Sequence, residues 1–211
     1  MRSPVHPEAL PFFLVFSLSG AVLGRFCRFL GWSLAGMAAF TLYFFRDPER
    51  DIPMGENVIV SPADGTILGV DQVEHVPFID GPAKRVTIFL SIFNVHINRS
   101  PIEGKVAYRH YHAGKFLPAN FDKASTDNEQ NSIGIDDNGF RVLVRQIAGI
   151  IARRIVCWKE AGDVVSRGER FGLIRFGSRT EIFLPLSAEI EVTPGQKVQG
   201  GTTIIGHRNR K

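Results

Sequence analysis

Two uncharged apolar runs open this chain, Leu10 to Gly24 and Phe29 to Phe45, with Arg25 and Arg28 at the break between them. Beyond about Pro53 the pattern changes: short segments rich in β-branched and aromatic residues alternate with glycine-bearing turns, and no long amphipathic helix can be traced after residue 50. A chain written this way folds as two unlike parts, an apolar helical hairpin over residues 1–50 and a mainly β domain over 51–211. The runs hold about 15 and 17 residues, short of the roughly 20 needed to cross a bilayer upright. They therefore read as a tight hairpin or as a monotopic anchor lying shallow in one leaflet. Trp32 and the Tyr43-Phe44-Phe45 run, followed by Arg46-Asp47-Pro48, resemble an interfacial exit. A signal peptide fits poorly, because a second apolar run follows the first without a small-residue cleavage site.

Composition narrows the partners. Charged residues at 22% and hydrophobic residues at 44% exclude global disorder. The net charge is +4, but no basic run and no aromatic–basic motif supports nucleic acid binding. Arg2, Arg25, Arg28, Arg46 and Arg50 instead flank the apolar start, which points to an anionic membrane surface. Cys27 and Cys157 have no metal-site spacing. Both read as buried, reduced thiols in a cytoplasm-facing protein, and no metal is expected.

Strands are expected over 58–60, 65–73, 86–92, 105–111, 140–147, 150–158, 171–175, 180–184, 188–192 and 202–205, and a long polar loop over 118–138. Two internal echoes stand out. Ser61-Pro62-Ala63-Asp64-Gly65-Thr66-Ile67 resembles Ser100-Pro101-Ile102-Glu103-Gly104-Lys105-Val106. The stretch from Gly162 to Gly168, continuing to Gly172, resembles that from Gly195 to Gly200, continuing to Gly206. Paired turn–strand units of this kind predict a pseudo-symmetric β-sandwich or barrel built of lipoyl-like units. The lysine of a lipoylated or biotinylated carrier is missing.

Three polar residues carry the chemistry: Asp64, His96 in Asn94-Val95-His96-Ile97-Asn98-Arg99, and Ser178 in Arg175-Phe176-Gly177-Ser178-Arg179. Singly, each has an ordinary explanation as a turn aspartate, a partly buried strand histidine and a loop serine. Together they form a set. Serine is a weak nucleophile at neutral pH and needs a base, histidine titrates near that pH, and its second ring nitrogen needs an acceptor to fix the tautomer. Gly-Ser-Arg lacks the Gly-x-Ser-x-Gly elbow of many serine hydrolases.

These motifs resemble those of the phosphatidylserine decarboxylase family in its short, bacterial and archaeal-like form. The resemblance covers nearly the whole chain in order: Phe44-Phe45-Arg46-Asp47-Pro48, the Asp64 and His96 motifs, Lys123-Ala124-Ser125 with Asn128-Glu129-Gln130-Asn131, Arg145-Gln146-Ile147-Ala148-Gly149, Ala152-Arg153-Arg154-Ile155, and the Gly177-Ser178 pair. It implies a proenzyme that cleaves itself between Gly177 and Ser178. The products are a large chain, 1–177, and a small chain, 178–211, which remain together as a heterodimer. Ser178 becomes a pyruvoyl cofactor that forms a Schiff base with phosphatidylserine and releases phosphatidylethanolamine. His96 is then the general base and Asp64 its orienter. The substrate is a phospholipid at the cell membrane, with the catalytic domain facing the cytoplasm. Arg99 stands where longer relatives carry a second histidine; His110 and His112 are alternative proton donors. An archaetidylserine-type lipid decarboxylase, a non-cleaving membrane-anchored adaptor and a serine hydrolase with an intact Ser178 hydroxyl are the competing readings.

Overall fold

The change of pattern after the apolar runs is also where the computed structural model divides, into units Met1–Glu49 and Arg50–Lys211. It describes residues 3–117, 124–149, 154–175 and 178–209. In the first unit a single 3-10 turn, Pro7–Ala9, leads into α1 (Leu10–Leu23), and α2 (Arg28–Phe44) runs back beside it. Pro7 and Pro11 occupy first-turn positions, where a missing N–H costs nothing. The helices approach closely at glycines: a Cβ on Gly31 would lie 2.7 Å from the Gly24 Cα. The two ends are tied by His6 N–H to Phe45 O at 2.8 Å and Asp47 N–H to Pro4 O at 2.8 Å. No α1 side chain is buried, and Leu14, Leu18, Phe26, Phe29 and Trp32 are exposed. Among the described residues, no helix is long and apolar enough to cross a membrane. Cys27, expected to be buried, is exposed, because it lies in the link between the helices rather than within a packed run.

Among its described residues the second unit holds β-strands and one turn of helix, α3 (Ala124–Asp127). Its strands are β1 (Val58–Val60), β2 (Gly65–Val76), β3 (Gly81–Leu90), β4 (Ile97–Arg99), β5 (Gly104–His112), β6 (Gln130–Asp137), β7 (Phe140–Ala148), β8 (Ile155–Cys157), β9 (Val164–Val165), β10 (Arg170–Ile174), β11 (Ser178–Pro185), β12 (Ala188–Ile190), β13 (Lys197–Val198) and β14 (Ile204–Arg208). An eight-stranded sheet runs β13-β2-β3-β11-β7-β6-β5-β9, with three-stranded sheets β1-β14-β12 and β4-β10-β8. All pairings between these strands are antiparallel. Ile88, Ile133, Ile135, Val142, Val144, Ile182 and Leu184 of the large sheet share one core with Ile59, Phe171, Ala188 and Ile205 of the small sheets. This is a mainly β, sandwich-like half-barrel.

The order of strands is symmetric. Reading inward from the two edges, β13-β2-β3-β11 matches β9-β5-β6-β7, and the small sheets correspond strand for strand. The echoed turns keep the same bonds: Gly201 N–H to Ser61 O and Gly168 N–H to Ser100 O are both 2.8 Å. Gly162 and Gly168 have φ of 106° and 75°, and Gly195 and Gly201 of 87° and 82°, a left-handed geometry that favours glycine. The closing glycines also match. A Cβ on Gly172 would meet Val156 O at 2.4 Å, and one on Gly206 would meet Glu189 O at 2.0 Å.

Several expectations need revision. The polar loop over 118–138 contains α3 and all of β6, since Ile133 and Ile135 alternate into the core between the polar residues that disguise the strand. The strand expected over 150–158 is present as Ile155–Cys157, and residues 150–153 lie outside the described residues. The strand expected to reach Ile92 stops at Leu90, because the Asn94 side chain accepts hydrogen bonds from Ser91 N–H and Oγ and closes a turn. The short strands β4, β9 and β13 carry too few residues to show a period.

Candidate active site

Ser178 is the first residue of β11, paired with Leu90 of β3 and Ala148 of β7 in the middle of the large sheet. Gly177 and Phe176 lie outside the described residues. Ser178 is fully buried, and its Oγ makes no hydrogen bond among the described residues. A buried hydroxyl without a partner costs about 1–3 kcal/mol, so a serine retained there calls for a chemical reason.

His96 lies just ahead of β4, two residues past the turn at Asn94. Its carbonyl accepts from Ile174 N–H at 3.2 Å, which joins it to the end of β10, four residues before Ser178. The ring is buried, with Nδ1 3.0 Å from the Asn94 carbonyl oxygen. A carbonyl can only accept, so this contact requires a proton on Nδ1 and leaves Nε2 as the basic nitrogen. The neighbour of Nδ1 expected to be Asp64 is here a peptide carbonyl. Asp64 itself is bonded elsewhere: Oδ2 to an Arg50 guanidinium nitrogen at 2.9 Å and Oδ1 to Gly200 N–H at 2.8 Å. It clamps the Ser61–Gly65 turn to the turn after β13 and does not hydrogen-bond His96. Arg99, at the position of the second histidine of longer relatives, is buried and donates to the Gly168 carbonyl at 3.0 Å.

A row of buried amides beneath Ser178 had no sequence signal of its own. Asn131 Nδ2 donates to Gln146 Oε1 at 2.8 Å, Gln146 Nε2 to Asn98 Oδ1 at 2.8 Å, and Asn98 Nδ2 to Thr180 Oγ1 at 3.2 Å. The row crosses from β6 through β7 and β4 to β11. Residues two apart share a strand face, so Thr180 lies on the same face as Ser178. Asn128, also fully buried, donates to the carbonyl of Ala148, the residue opposite Ser178, at 2.7 Å. Asn128 and Asn131 belong to a segment that the resemblance singled out without giving them roles.

The other face of β11 is ionic. Glu181 is fully buried, accepts from Ser125 Oγ at 2.6 Å and is ringed by Arg85 at 3.8 Å, Arg145 at 3.5 Å and Arg179 at 3.8 Å. Burial lowers the pKa of the Arg145 guanidinium, with Glu181 opposing that shift. His110 and His112 are exposed on this face, the side of the sheet away from Ser178 and Thr180.

Against known proteins, residues 37–206 match the family model for phosphatidylserine decarboxylase. The chain is 53% identical over 209 residues to a phosphatidylserine decarboxylase proenzyme of Symbiobacterium thermophilum, spanning 98% of this chain and 97% of that protein. A proenzyme of the same name from Syntrophus aciditrophicus is 47% identical over 203 residues, covering 94% and 95%. One from Carboxydothermus hydrogenoformans is 49% identical over 187 residues, covering 88% of each. With the family model matched over most of the β unit and relatives aligned nearly end to end, the chain belongs to the phosphatidylserine decarboxylase family.

Proposed function

We propose that the chain is a proenzyme that cleaves itself between Gly177 and Ser178 and then decarboxylates phosphatidylserine to phosphatidylethanolamine. The observation that carries this reading is the fully buried Ser178 Oγ, without a hydrogen bond among the described residues, at the start of a central strand. Such a hydroxyl is held for chemistry rather than for structure.

In the proposed cleavage, His96 Nε2 takes the Ser178 Oγ proton and the oxygen attacks the Gly177 carbonyl carbon. The C–N bond breaks as the C–O bond forms, and the proton passes to the released nitrogen. β-Elimination of the ester leaves a carboxylate on Gly177 and an unsaturated residue at 178, and water then replaces its nitrogen, releasing ammonia. The pyruvoyl group so formed supplies a ketone that takes up the substrate amine and an electron sink for the departing carboxylate. The buried amide row holds Thr180, and through it the start of β11, in place. Asp64 acts at one remove, by fixing the Ser61–Gly65 turn. The helical hairpin brings the enzyme to its lipid. At about 1.5 Å per residue, the 14-residue α1 is about 21 Å long, against a hydrocarbon core of roughly 30 Å, which suits a hairpin lying in one leaflet.

Intact mass measurement tests the central claim. The wild-type protein is expected as two chains divided between Gly177 and Ser178, the smaller with a blocked N-terminus. Ser178→Ala is expected as one chain near 23.4 kDa. A single unbroken wild-type chain would overturn the reading.

A further inference from the structure

The two-fold arrangement supplies an internal comparison for the buried pair Arg50–Asp64. Each half has a Ser-Pro turn ending in an acid, Ser61 to Asp64 and Ser100 to Glu103. The turns are held alike. Ser61 Oγ donates to Ala63 O at 2.7 Å, and Ser100 Oγ to Ile102 O at 2.6 Å. Each also grips the other half through its proline: Pro62 O accepts from Arg99 N–H at 2.9 Å, and Pro101 O from Val60 N–H at 3.0 Å.

The acids differ. The Glu103 side chain is 50% exposed and lies 3.8 Å from Arg167. Asp64 and Arg50 are each only 11% exposed and meet at 2.9 Å, while Arg50 also donates to Gln199 Oε1 at 2.9 Å. The turn therefore forms equally well with its acid half in solvent, and the fold does not require a buried pair at Asp64. Nor is such a pair a general source of stability, because desolvating both charges offsets their attraction. Its value lies in fixing one geometry.

That geometry leads to the reacting residues. Pro62 O, two residues before Asp64, receives Asn98 Nδ2 at 3.4 Å as well as Arg99 N–H, both from β4, the strand that His96 precedes. The same Asn98 Nδ2 donates to Thr180 Oγ1, two residues past Ser178 in β11. One turn thus holds the strand of His96 and, through Asn98, the strand of Ser178. Its counterpart at Glu103 holds β1 by the proline carbonyl instead.

We infer that Arg50 is a positioning residue for self-cleavage: by locking Asp64 and the Ser61–Gly65 turn, it sets β4 against the start of β11 and so the approach of His96 to Ser178. The coupling runs through the contiguous contacts Arg50–Asp64, Pro62–Asn98 and Asn98–Thr180. The inference rests on the proposed cleavage. Arg50 directly follows Glu49, the last residue of the helical unit, so the chain leaving that unit begins the β unit with this lock.

The test is the rate of chain separation in pulse-labelled cell-free synthesis of the full chain, with urea unfolding of the same variants in the Ser178→Ala background. Arg50→Gln is expected to slow cleavage several-fold. Arg50→Lys should recover part of the rate, since it keeps the charge but loses the fork that reaches both Asp64 and Gln199. Glu103→Gln, in the matching turn, should cut at the wild-type rate. The double variant Arg50→Gln, Asp64→Asn leaves no buried charge unpaired. It should cut no more slowly than the slower single variant, at a urea midpoint close to the parent's. Wild-type cleavage in Arg50→Gln, equal slowing in Glu103→Gln, or single effects that multiply in the double variant would each overturn the inference. So would a double variant whose midpoint falls in step with its rate, since that is loss of structure alone. Equal cutting by the wild type and all variants sinks this inference and spares the proposed function; a wild type that never cuts sinks both.

Discussion

Around Ser178 and His96, single atoms set what each proposed group could do. The Asn94 carbonyl makes His96 Nε2 the basic nitrogen, while the Asp64 carboxylate is committed to Arg50 and Gly200. These arrangements make a sharp prediction. If Asp64 oriented His96 directly, Asp64→Asn would lose the tautomer control on which a triad depends and stop cleavage. As a turn clamp, Asn retains an acceptor for Gly200 N–H and loses only the charge toward Arg50, so cleavage should slow several-fold and still run to completion. A time course of chain separation by mass or gel distinguishes the two. The Gly177-Ser178 pair and His96 stand out in the sequence as candidates because serine and histidine are the residues the proposed chemistry needs. The partner of His96 does not, because a backbone carbonyl belongs to every residue and leaves no mark in the letters.

Among the elements, the amide row from Asn131 to Thr180 ties β6, β7, β4 and β11 together on the Ser178 side of β11. Gln146→Leu is close in size but leaves Asn98 Oδ1 and Asn131 Nδ2 buried without those partners. At about 1–3 kcal/mol for each of the two stranded groups, a loss of about 2–6 kcal/mol is expected. Urea unfolding in the Ser178→Ala background, where the chain stays whole, would report it as a lower midpoint at unchanged slope. No change in midpoint would mean that the row is ornamental. Most long strands were legible because their apolar residues alternate or cluster. β6 was hidden because Asn131, Ser132, Asp136 and Asp137 outnumber the two isoleucines that mark its inner face. The amide row was invisible because polar residues at core positions read as loop until the topology brings their partners beside them.

For the molecule as a whole, the short repeats foretold the layout well. The Ser-Pro and Gly echoes correspond to matching edge turns of a two-fold arrangement of seven strands against seven, with β4 to β10 continuous and the other half interrupted in sequence by them. The apolar start announced its helices equally plainly, through length and lack of charge. Removing residues 1–46 is expected to move the protein from the lipid fraction to the supernatant in a liposome flotation assay; continued flotation would mean that another surface holds the membrane. The proposed cut falls between β10 and β11, so β11 to β14 become a separate polypeptide whose first strand is hydrogen-bonded on both sides by β3 and β7 of the other. Before the cut, folding is a unimolecular event. Afterwards the same structure can re-form only when two chains meet, so recovery from melting depends on protein concentration. With the proposed cut, maturation is a ratchet: the chain folds once as a single molecule, and in dilute solution a cut enzyme that comes apart stays apart.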